Sequence, residues 1–293
     1  MSEKKYIDEE GVGVLWELVK QKDSTKIAVP MELPYGFDEG QSVIYNGEIH
    51  ILGGDNTKHY KWNGTSWVSV STLPYNFDSG SAVVYNNEIH LLGPEKSHYK
   101  WNGSSWASVS TLPDAFYSGS LVVYNNEIHI LGGFSTNHYK WNGTSWVSVS
   151  TLPYGFTDGV AVVYNNEIHI LGGSFGSETK HYKWNGSSWS EVSTLPYDFS
   201  RGSAVVLNEE IHILGSCYDT TKHYKWNGSS WVSVSTLPYG FIGGWAVIYN
   251  NEIHILGGDE DRTDHYKWNG SSWTNEIIPQ KLTIAELKAL LNS

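Results

Sequence analysis

Cysteine and long apolar runs are both scarce in this chain. Among 293 residues there is a single cysteine, Cys217, which excludes an internal disulfide framework. No apolar run approaches the ~20 residues that a membrane-spanning helix needs, so we expect no membrane span. The first residues, MSEKKYIDEEG, are charged and lack the apolar stretch of a signal peptide, so we also expect no export by that route.

Positive charge is in short supply. The chain has 19 Lys and Arg against 31 Asp and Glu, a formal net charge of -12. Proteins that bind nucleic acid neutralise phosphates with clustered Lys and Arg, so a nucleic-acid partner is not expected. Hydrophobic residues make up 40% of the chain and aromatic residues 14%, which indicates a globular protein of one or two domains.

One sequence unit recurs six times. Each copy opens with LPYxF, or LPDAF in the third copy, at a spacing of 39 to 43 residues. Self-similarity at such a period is the signature of repeat architectures, so it determines the expected fold. The copies begin at Leu33, Leu73, Leu112, Leu152, Leu195 and Leu237.

Each copy contains the pattern of two β-hairpins. SAVVYNNEIHILGG reads as two Val- and Ile-rich strands around an Asn-Asn or Asn-Gly turn, where positive φ is needed and tolerated. HYKWNGSSWVSVS reads as a second hairpin that turns between two tryptophans. Inner strands with apolar residues on both faces, such as Ile49, Ile51 and Leu52, suit a sheet that is covered on both sides. We therefore expect four strands per copy, packed face to face around an axis.

The copies resemble the kelch repeat. The likeness lies in a Gly-Gly pair after a strand, then an aromatic residue, then Trp, as in Gly53, Gly54, Trp62 and Trp67, and it covers roughly residues 33 to 278. The resemblance implies an all-β, six-bladed kelch-type β-propeller with four-stranded antiparallel blades. Tryptophan stands where kelch repeats usually carry tyrosine, a departure that puts no strand in doubt.

Two copies depart from the Gly-Gly pair, and the closure of the ring is left open. Pro94 and Ser216 replace the second glycine in copies two and five. The first copy has its own innermost strand, and the last copy, which ends SSWTNEII, can form its own outermost strand. The preceding stretch TKIAVPME is expected to pair at the edge of the last blade, instead of that strand or in addition to it.

Both ends of the chain show helical patterns. Residues 7–21 place apolar side chains at helical spacing, with acids first and lysines last, which matches the helix dipole. Thr283 and Glu286 form a capping box ahead of leucines at 287, 290 and 291. We expect an N-terminal segment 1–23 with an amphipathic helix, a propeller over 24–278 and a short C-terminal helix within 279–293. Packing of both helices on the propeller is one interpretation.

A second resemblance concerns the same two ends. KKYIDEEGVGVLWELVKQK looks like the N-terminal segments of tail and minor structural proteins from phages of Gram-positive bacteria, and TIAELKALL is similar to short tails of that class. The resemblance implies that the helices attach the propeller to virion or tail proteins, or to further copies of the chain in a homo-oligomer. The expected location is then the virion, and otherwise the cytoplasm.

Twelve histidines fall into an EIH series and an HYK series, one of each per copy. A zinc site needs three or four converging ligands, whereas repeated residues are separated by the blade spacing, so hydrogen bonding is the favoured role. The only thiol lies in the loop GSCYDTTK without its own histidine cluster, which argues against copper. The acidic loop DEDRTD lacks the spacing of a calcium loop. We expect no metal and no cofactor.

The copies differ mainly in two segments, after Gly-Gly and after LPY, which a four-stranded blade brings to one face. One explanation is that loops without structural constraints accumulate substitutions freely. The other is a sugar site, since aromatic planes stack on pyranose faces while carboxylates and guanidinium groups bind hydroxyls. Trp245 has the alternative role of plugging the channel mouth. The predicted ligand-binding residues are Trp245, Arg201, Tyr218, Asp158, Tyr117 and Glu39.

The sequence favours a non-enzymatic binding or structural propeller, such as a phage tail or receptor-binding protein that recognises a cell-surface carbohydrate. A protein-interaction scaffold of kelch type stays open. So does a carbohydrate-active enzyme such as a sugar epimerase, for which Glu39 and Asp158 are the candidate acid and base.

Overall fold

Six antiparallel four-stranded sheets make up most of the described chain in the computed structural model of the protein, which describes residues 27–30, 32–174, 176, 178–258, 262–275 and 277–280. The innermost strands are β2 (Gln41–Tyr45), β6 (Ser81–Tyr85), β10 (Ser120–Tyr124), β14 (Val160–Tyr164), β18 (Ser203–Leu207) and β22 (Trp245–Tyr249). The second strands are β3 (Glu48–Leu52), β7 (Glu88–Gly93), β11 (Glu127–Leu131), β15 (Glu167–Leu171), β19 (Glu210–Leu214) and β23 (Glu252–Leu256).

The outer half of each sheet comes from the second hairpin. The third strands are β4 (Asn56–Trp62), β8 (Ser97–Trp101), β12 (Ser135–Trp141), β16 (Lys180–Trp184), β20 (Lys222–Trp226) and β24 (His265–Trp268). The outermost strands are β5 (Trp67–Phe77), β9 (Trp106–Thr111), β13 (Trp146–Phe156), β17 (Trp189–Thr194), β21 (Trp231–Thr236) and β25 (Trp273–Asn275). Each innermost strand lies beside those of two neighbouring sheets, and β2 lies beside β22. The predicted all-β, six-bladed propeller is confirmed.

The core lies between the blades rather than inside any one of them. The second strand is buried on both faces, so that Ile49 and Ile51 are wholly inaccessible. Tyr45 of blade one packs against Leu91 and Trp101 of blade two, and equivalent clusters fill other junctions. Because each blade buries its apolar faces only against its neighbours, the fold depends on closing the ring.

The first copy closes that ring. Leu33 N donates to Thr263 O (2.8 Å) and Phe37 N to Arg262 O (3.0 Å), so the opening LPYGF lies along blade six. In the same way Leu112 N donates to Lys96 O (2.9 Å) between the third copy and blade two. Each LPYxF segment therefore completes the blade of the preceding copy, and the first copy completes the last blade.

The predicted pairing of TKIAVPME with the last blade is wrong for its described strand. Strand β1 (Ile27–Pro30) instead pairs antiparallel with β26 (Ile277–Gln280) in a separate two-stranded sheet. Among the described residues of TKIAVPME, Glu32 alone forms an isolated bridge to blade six, with Asp264. Backbone pairing between the two ends of the chain replaces pairing at a blade edge.

Two compact units divide the chain. Residues 32–275 form the propeller, a narrower range than the predicted 24–278, and 1–31 with 276–293 form the other unit. The helices expected within 7–21 and 283–291 lie outside the described residues. In the described part the one helical element is a 3-10 turn, Pro94–Lys96, and no helix has the length and apolarity that a bilayer crossing requires. Neither Pro94 nor Ser216 interrupts a strand.

The two histidine series meet each other inside every blade. Nδ1 of the EIH histidine lies 2.7 to 2.9 Å from Nε2 of the HYK histidine, as between His50 and His59. In five blades Nδ1 of the second histidine lies 2.9 to 3.2 Å from a serine Oγ of the outermost strand. The same serine accepts a hydrogen bond from a tryptophan Nε1 of the next blade at 3.0 to 3.2 Å. The histidines thus join strands and blades.

Burial determines the protonation state of these histidines. Loss of solvation lowers the pKa of His50 to about 4, and for His59 burial together with the neighbouring His50 lowers it to about 3. The other blades show the same directions. A neutral ring donates at one nitrogen and accepts at the other, which the paired arrangement requires.

Candidate functional site

Six glycines mark where the chain enters the innermost strands around the axis. The residue before each glycine belongs to a ring of backbone hydrogen bonds that joins one blade to the next. The described ring bonds are Ser118 N to Ser79 O, Asp158 N to Ser118 O, Arg201 N to Asp158 O (2.8 Å each), Gly243 N to Arg201 O and Glu39 N to Gly243 O (2.9 Å each). The junction of blades one and two differs, because Ser79 N donates to Asp78 Oδ1 (2.6 Å).

Local sterics explain this entry geometry. A Cβ on Gly244 would lie 2.4 Å from the Phe241 ring, the buried aromatic of the same LPYxF segment. Five of the six residues before these glycines have a left-handed conformation, with φ of 54° at Glu39, 55° at Asp158 and 54° at Arg201. Positive φ is unfavourable for residues with a side chain and clusters at functional sites. The fold therefore holds three charged side chains at the axis in a sparsely populated backbone conformation.

These entry segments enclose a small depression, the axial mouth. Its volume is about 90 Å³, well below the ~300 Å³ at which enclosed ligand pockets begin. It has room for a few water-sized groups rather than a whole sugar ring. The mouth is lined by Glu39, Gly40, Gln41, Asp78, Ser79, Gly80, Ser118, Gly119, Ser120, Asp158, Gly159, Val160, Arg201, Gly202, Gly243, Gly244 and Trp245.

An ion pair spans part of the mouth. Arg201 Nη2 of blade five donates to Glu39 Oε1 of blade one at 2.5 Å, with side chains 35% and 47% exposed. Blade six lies between them and presents Gly243, where a Cβ would stand 2.1 Å from Asp38 Oδ1 and 3.5 Å from Arg201 Nη2. The absence of a side chain at 243 therefore leaves room for the Asp38 carboxylate beside the ion pair.

The mouth has an excess of negative charge. Its charged lining consists of three acids, Glu39, Asp78 and Asp158, and one base, Arg201. Burial raises the pKa of Glu39, Arg201 opposes that change, and the neighbouring aspartates 38, 158 and 78 add to it. Such a site favours hydrogen-bond donors over anionic ligands.

Four of the six predicted site residues meet at this mouth. Trp245, the first residue of β22, is partly buried there, at the position where other blades carry Gln, Ser or Val. Asp158 Oδ2 accepts a hydrogen bond from Ser174 Oγ at 2.9 Å. With Arg201 and Glu39 they form one cluster.

The two predicted tyrosines do not line the mouth. Tyr218 lies in the loop after β19, is 58% exposed, and its backbone N donates to Ser216 Oγ at 3.2 Å. Tyr117, one residue before the ring position Ser118, is partly buried. Their predicted part in ligand binding stays a prediction.

The two variable segments of the copies contact each other. Asn76 Nδ2 after LPY donates to Asp55 Oδ1 after Gly-Gly at 2.8 Å, and Cys217 N donates to Ser200 O at 2.9 Å. Cys217 is partly buried and forms no disulfide. The variable segments and the axial mouth therefore form one continuous surface, which we call the variable face.

Further residues of this face carry no motif that distinguishes them in sequence. Asp78, Ser79, Ser118 and Gly243 line the mouth, and only alignment of the copies at the entry glycine places them there. Phe134, which follows a Gly-Gly pair, is 64% exposed. The sequence signal for Phe134 is that a large apolar residue stands in an otherwise polar variable loop.

No group of three or more His, Cys, Asp or Glu side chains arranged to hold a metal occurs within the described ranges. Of the acidic loop DEDRTD, residues 259–261 lie outside those ranges. Its Arg262 Nη1 donates to Asp264 Oδ2 at 3.1 Å.

Comparison with known proteins supports the architecture. No protein-family model and no curated protein matches the chain. The solved structure of YjhT superposes with a TM-score of 0.73 at 16% sequence identity, over 84% of this chain and 99% of YjhT. Likeness at this identity shows a shared fold. The kelch and phage-tail resemblances remain predictions.

Proposed function

We propose that the protein is a non-enzymatic binding module whose axial mouth recognises the hydroxyl groups of a neutral carbohydrate on a cell surface. The Arg201–Glu39 pair beside Trp245 is the observation that carries this proposal. The pair offers guanidinium donors and carboxylate acceptors at one point, and Trp245 lines the same mouth. Vicinal hydroxyls both donate and accept, so they match such a pair, while the indole suits the apolar face of the ring.

Size and charge narrow the ligand class. A mouth of about 90 Å³ accepts the hydroxyl-bearing edge of one terminal sugar, and the rest of the glycan lies over the variable face. Three acids against one base disfavour sialic or uronic acids, whose carboxylates would face Glu39, Asp78 and Asp158. The expected ligand is therefore an uncharged sugar at the end of a chain.

A glycan-array screen of the full chain tests the proposal, followed by calorimetry with the recognised glycan. Trp245→Ala and Arg201→Ala should each weaken binding by about thirtyfold or more, because truncation of Trp or Arg hot-spot residues costs ~2 kcal/mol. Val232→Ala, at an exposed apolar residue of the outermost strand β21, is the control and should bind within about threefold of the parent.

Melting temperatures separate binding from folding. If Trp245→Ala unfolds the protein, Arg201→Gln keeps the test valid, because its side chain is 35% exposed and makes an exposed ion pair. Binding that survives both Arg201 variants, or a screen that retains only acidic glycans, would contradict the proposal.

Attachment to a virion is proposed from the resemblance of the two ends alone. Light scattering measures the number of chains per particle for the full chain and for a variant that lacks residues 1–23 and 281–293. If these ends mediate assembly, the full chain should be an oligomer and the variant a monomer. A full-length monomer would contradict homo-oligomerisation through them. Co-sedimentation with phage particles would support a role as a tail or receptor-binding protein.

Two other functions are each favoured by one observation. Glu39, whose pKa is raised by burial, favours a carbohydrate-active enzyme with Glu39 as acid. Turnover of the bound glycan that is abolished by Glu39→Gln would establish this. The exposed Phe134 favours a protein-interaction scaffold. A protein partner lost in Phe134→Ala but retained in Trp245→Ala would support the scaffold instead.

A further inference from the structure

A second concave site lies at the junction of blades two and three, and it shares no lining residue with the axial mouth. This rim groove has a volume of about 320 Å³ and is more open to solvent than the mouth, so it suits a ligand that lies on the surface. Outermost-strand residues of blade two form one wall, and the Trp-turn-Trp hairpin of blade three forms the other. The lining residues are Ser110, Thr111, Pro113, Trp141, Thr144, Ser145 and Trp146.

The chemistry of the rim groove is neutral and amphipathic. None of its lining residues carries a charge. Trp146 is partly exposed, and its Nε1 donates to Ser110 Oγ at 3.1 Å, which fixes the indole before a ligand arrives. Thr111, Thr144 and Ser145 are exposed and supply hydroxyls. A fixed indole with hydroxyls around it complements the apolar face and equatorial hydroxyls of an uncharged pyranose, whereas a charged sugar would find no ion partner.

The same residue types recur at five of the six junctions. Each has two tryptophans around a hydroxyl-rich turn, a preceding Ser-Thr-Leu-Pro segment, and the Trp-to-Ser hydrogen bond at 3.0 to 3.2 Å. The partly exposed tryptophans of these junctions are Trp106, Trp146, Trp189, Trp231 and Trp273.

The sixth junction, between blades six and one, differs. The chain after Trp273 reads TNEII, so Ile277 occupies the sequence position of the serine. Among the described residues Trp67 Nε1 and His265 Nδ1 have no hydrogen-bond partner, although both are buried nitrogens. The junction of Trp67 therefore lacks the Ser-Thr-Leu-Pro segment of the other five, so Trp67 serves as a negative control within the same protein.

We propose that the rim groove of Trp146 and the four junctions that share its residue types, those of Trp106, Trp189, Trp231 and Trp273, are equivalent weak sites for neutral pyranose rings, and we call them the five rim grooves. They give the protein multivalent attachment to a glycan-bearing surface, because linked weak sites bind a repeated ligand far more tightly than one alone. The repetition of hydroxyl and tryptophan positions on the exterior of every copy then has a function beyond forming the hairpin. None of the residues involved lines the axial mouth, so the grooves stand independently of the function proposed above.

The test uses the full chain labelled with 15N at the tryptophan indoles, with resonances assigned by single Trp→Phe variants. Methyl β-glucoside, methyl β-galactoside and the methyl β-glycoside of N-acetylglucosamine are titrated in separate experiments. With at least one of them, the five groove indoles should shift along a common binding curve with a dissociation constant on the order of 1 mM. Trp67 should not shift.

A single blocked groove gives the decisive comparison. Thr111→Lys places a long side chain in the groove of Trp146 and should abolish the response of that indole while the other four keep theirs. Thr111→Ser is the matched control and should retain all five responses. Three outcomes would overturn the proposal: no indole responds to any of the three glycosides, Trp245 alone responds, or Trp67 shifts together with the five.

Discussion

The guanidinium of Arg201 in blade five donates to the carboxylate of Glu39 in blade one at 2.5 Å, across the glycine that blade six presents at position 243. The two residues are 162 positions apart in the chain. Their contact requires that the ring be closed, and a side chain on the intervening blade at this point would collide with the neighbouring Asp38.

Gly243→Ala should therefore disturb both stability and the mouth. Its φ of 68° disfavours a side chain, and the new Cβ would stand 2.1 Å from Asp38 Oδ1. We expect a loss of about 1–3 kcal/mol in the free energy of unfolding by denaturant titration. Gly155→Ala is the control, because a Cβ there meets nothing within 4 Å. Equal losses in the two variants would mean that the crowding at Gly243 is relieved without cost.

The titration of Glu39 reports the electrostatics of the mouth. Its pKa should lie above the ordinary value of 4.5, measured from the 13C chemical shift of the carboxyl group. Because Arg201 lowers this pKa and Asp158 raises it, Arg201→Gln should move it upward and Asp158→Asn downward. Opposite movements would show that the side chains adopt a different arrangement in solution.

Acid should unfold the protein over a defined pH range. His50 has a pKa of about 4 and His59 of about 3 in the folded state, against 6.5 for a free histidine, and the pattern recurs in the other blades. Between these values the unfolded chain binds more protons than the folded one, so stability is complete above pH ~6.5 and falls as pH decreases toward 4.

The free energy of unfolding should depend steeply on pH because the chain has twelve histidines. Each group that takes up a proton on unfolding contributes about 1.4 kcal/mol per pH unit. Denaturant titrations between pH 4 and 7.5 measure it. A free energy of unfolding that is flat between pH 6 and 4.5 would mean that the histidines are already charged in the folded protein.

The closing junction offers a matched pair of variants. Trp106 Nε1 donates to Ser71 Oγ at 3.1 Å, whereas Trp67 Nε1 lacks a partner among the described residues. Trp106→Phe and Trp67→Phe remove the same atoms, so their difference isolates the hydrogen bond. We expect Trp106→Phe to lower the free energy of unfolding by ~1 kcal/mol more than Trp67→Phe. Equal effects would indicate that a group outside the described residues satisfies Trp67.

The sequence by itself determined the repeated part of the fold. Strand and turn signals are local, so the Val- and Ile-rich runs around Ile49 and the Asn-Asn turns predict four strands per copy without reference to distant residues. Alignment of the copies also placed Arg201 just before the entry glycine of copy five and Trp245 just after that of copy six. The entry segments of a ring approach the axis together, and both residues do line the mouth.

Contacts between distant parts of the chain were decided only by the tertiary structure. Leu33 rather than the preceding TKIAVPME closes the ring, since both segments have extended patterns and only packing against blade six distinguishes them. Loop geometry keeps Tyr218 and Tyr117 out of the mouth, although their composition suited it. The sequence assigned the histidines to hydrogen bonding, but strand register made each the partner of another histidine. Such partners depend on how strands and blades align in space, which no local pattern encodes.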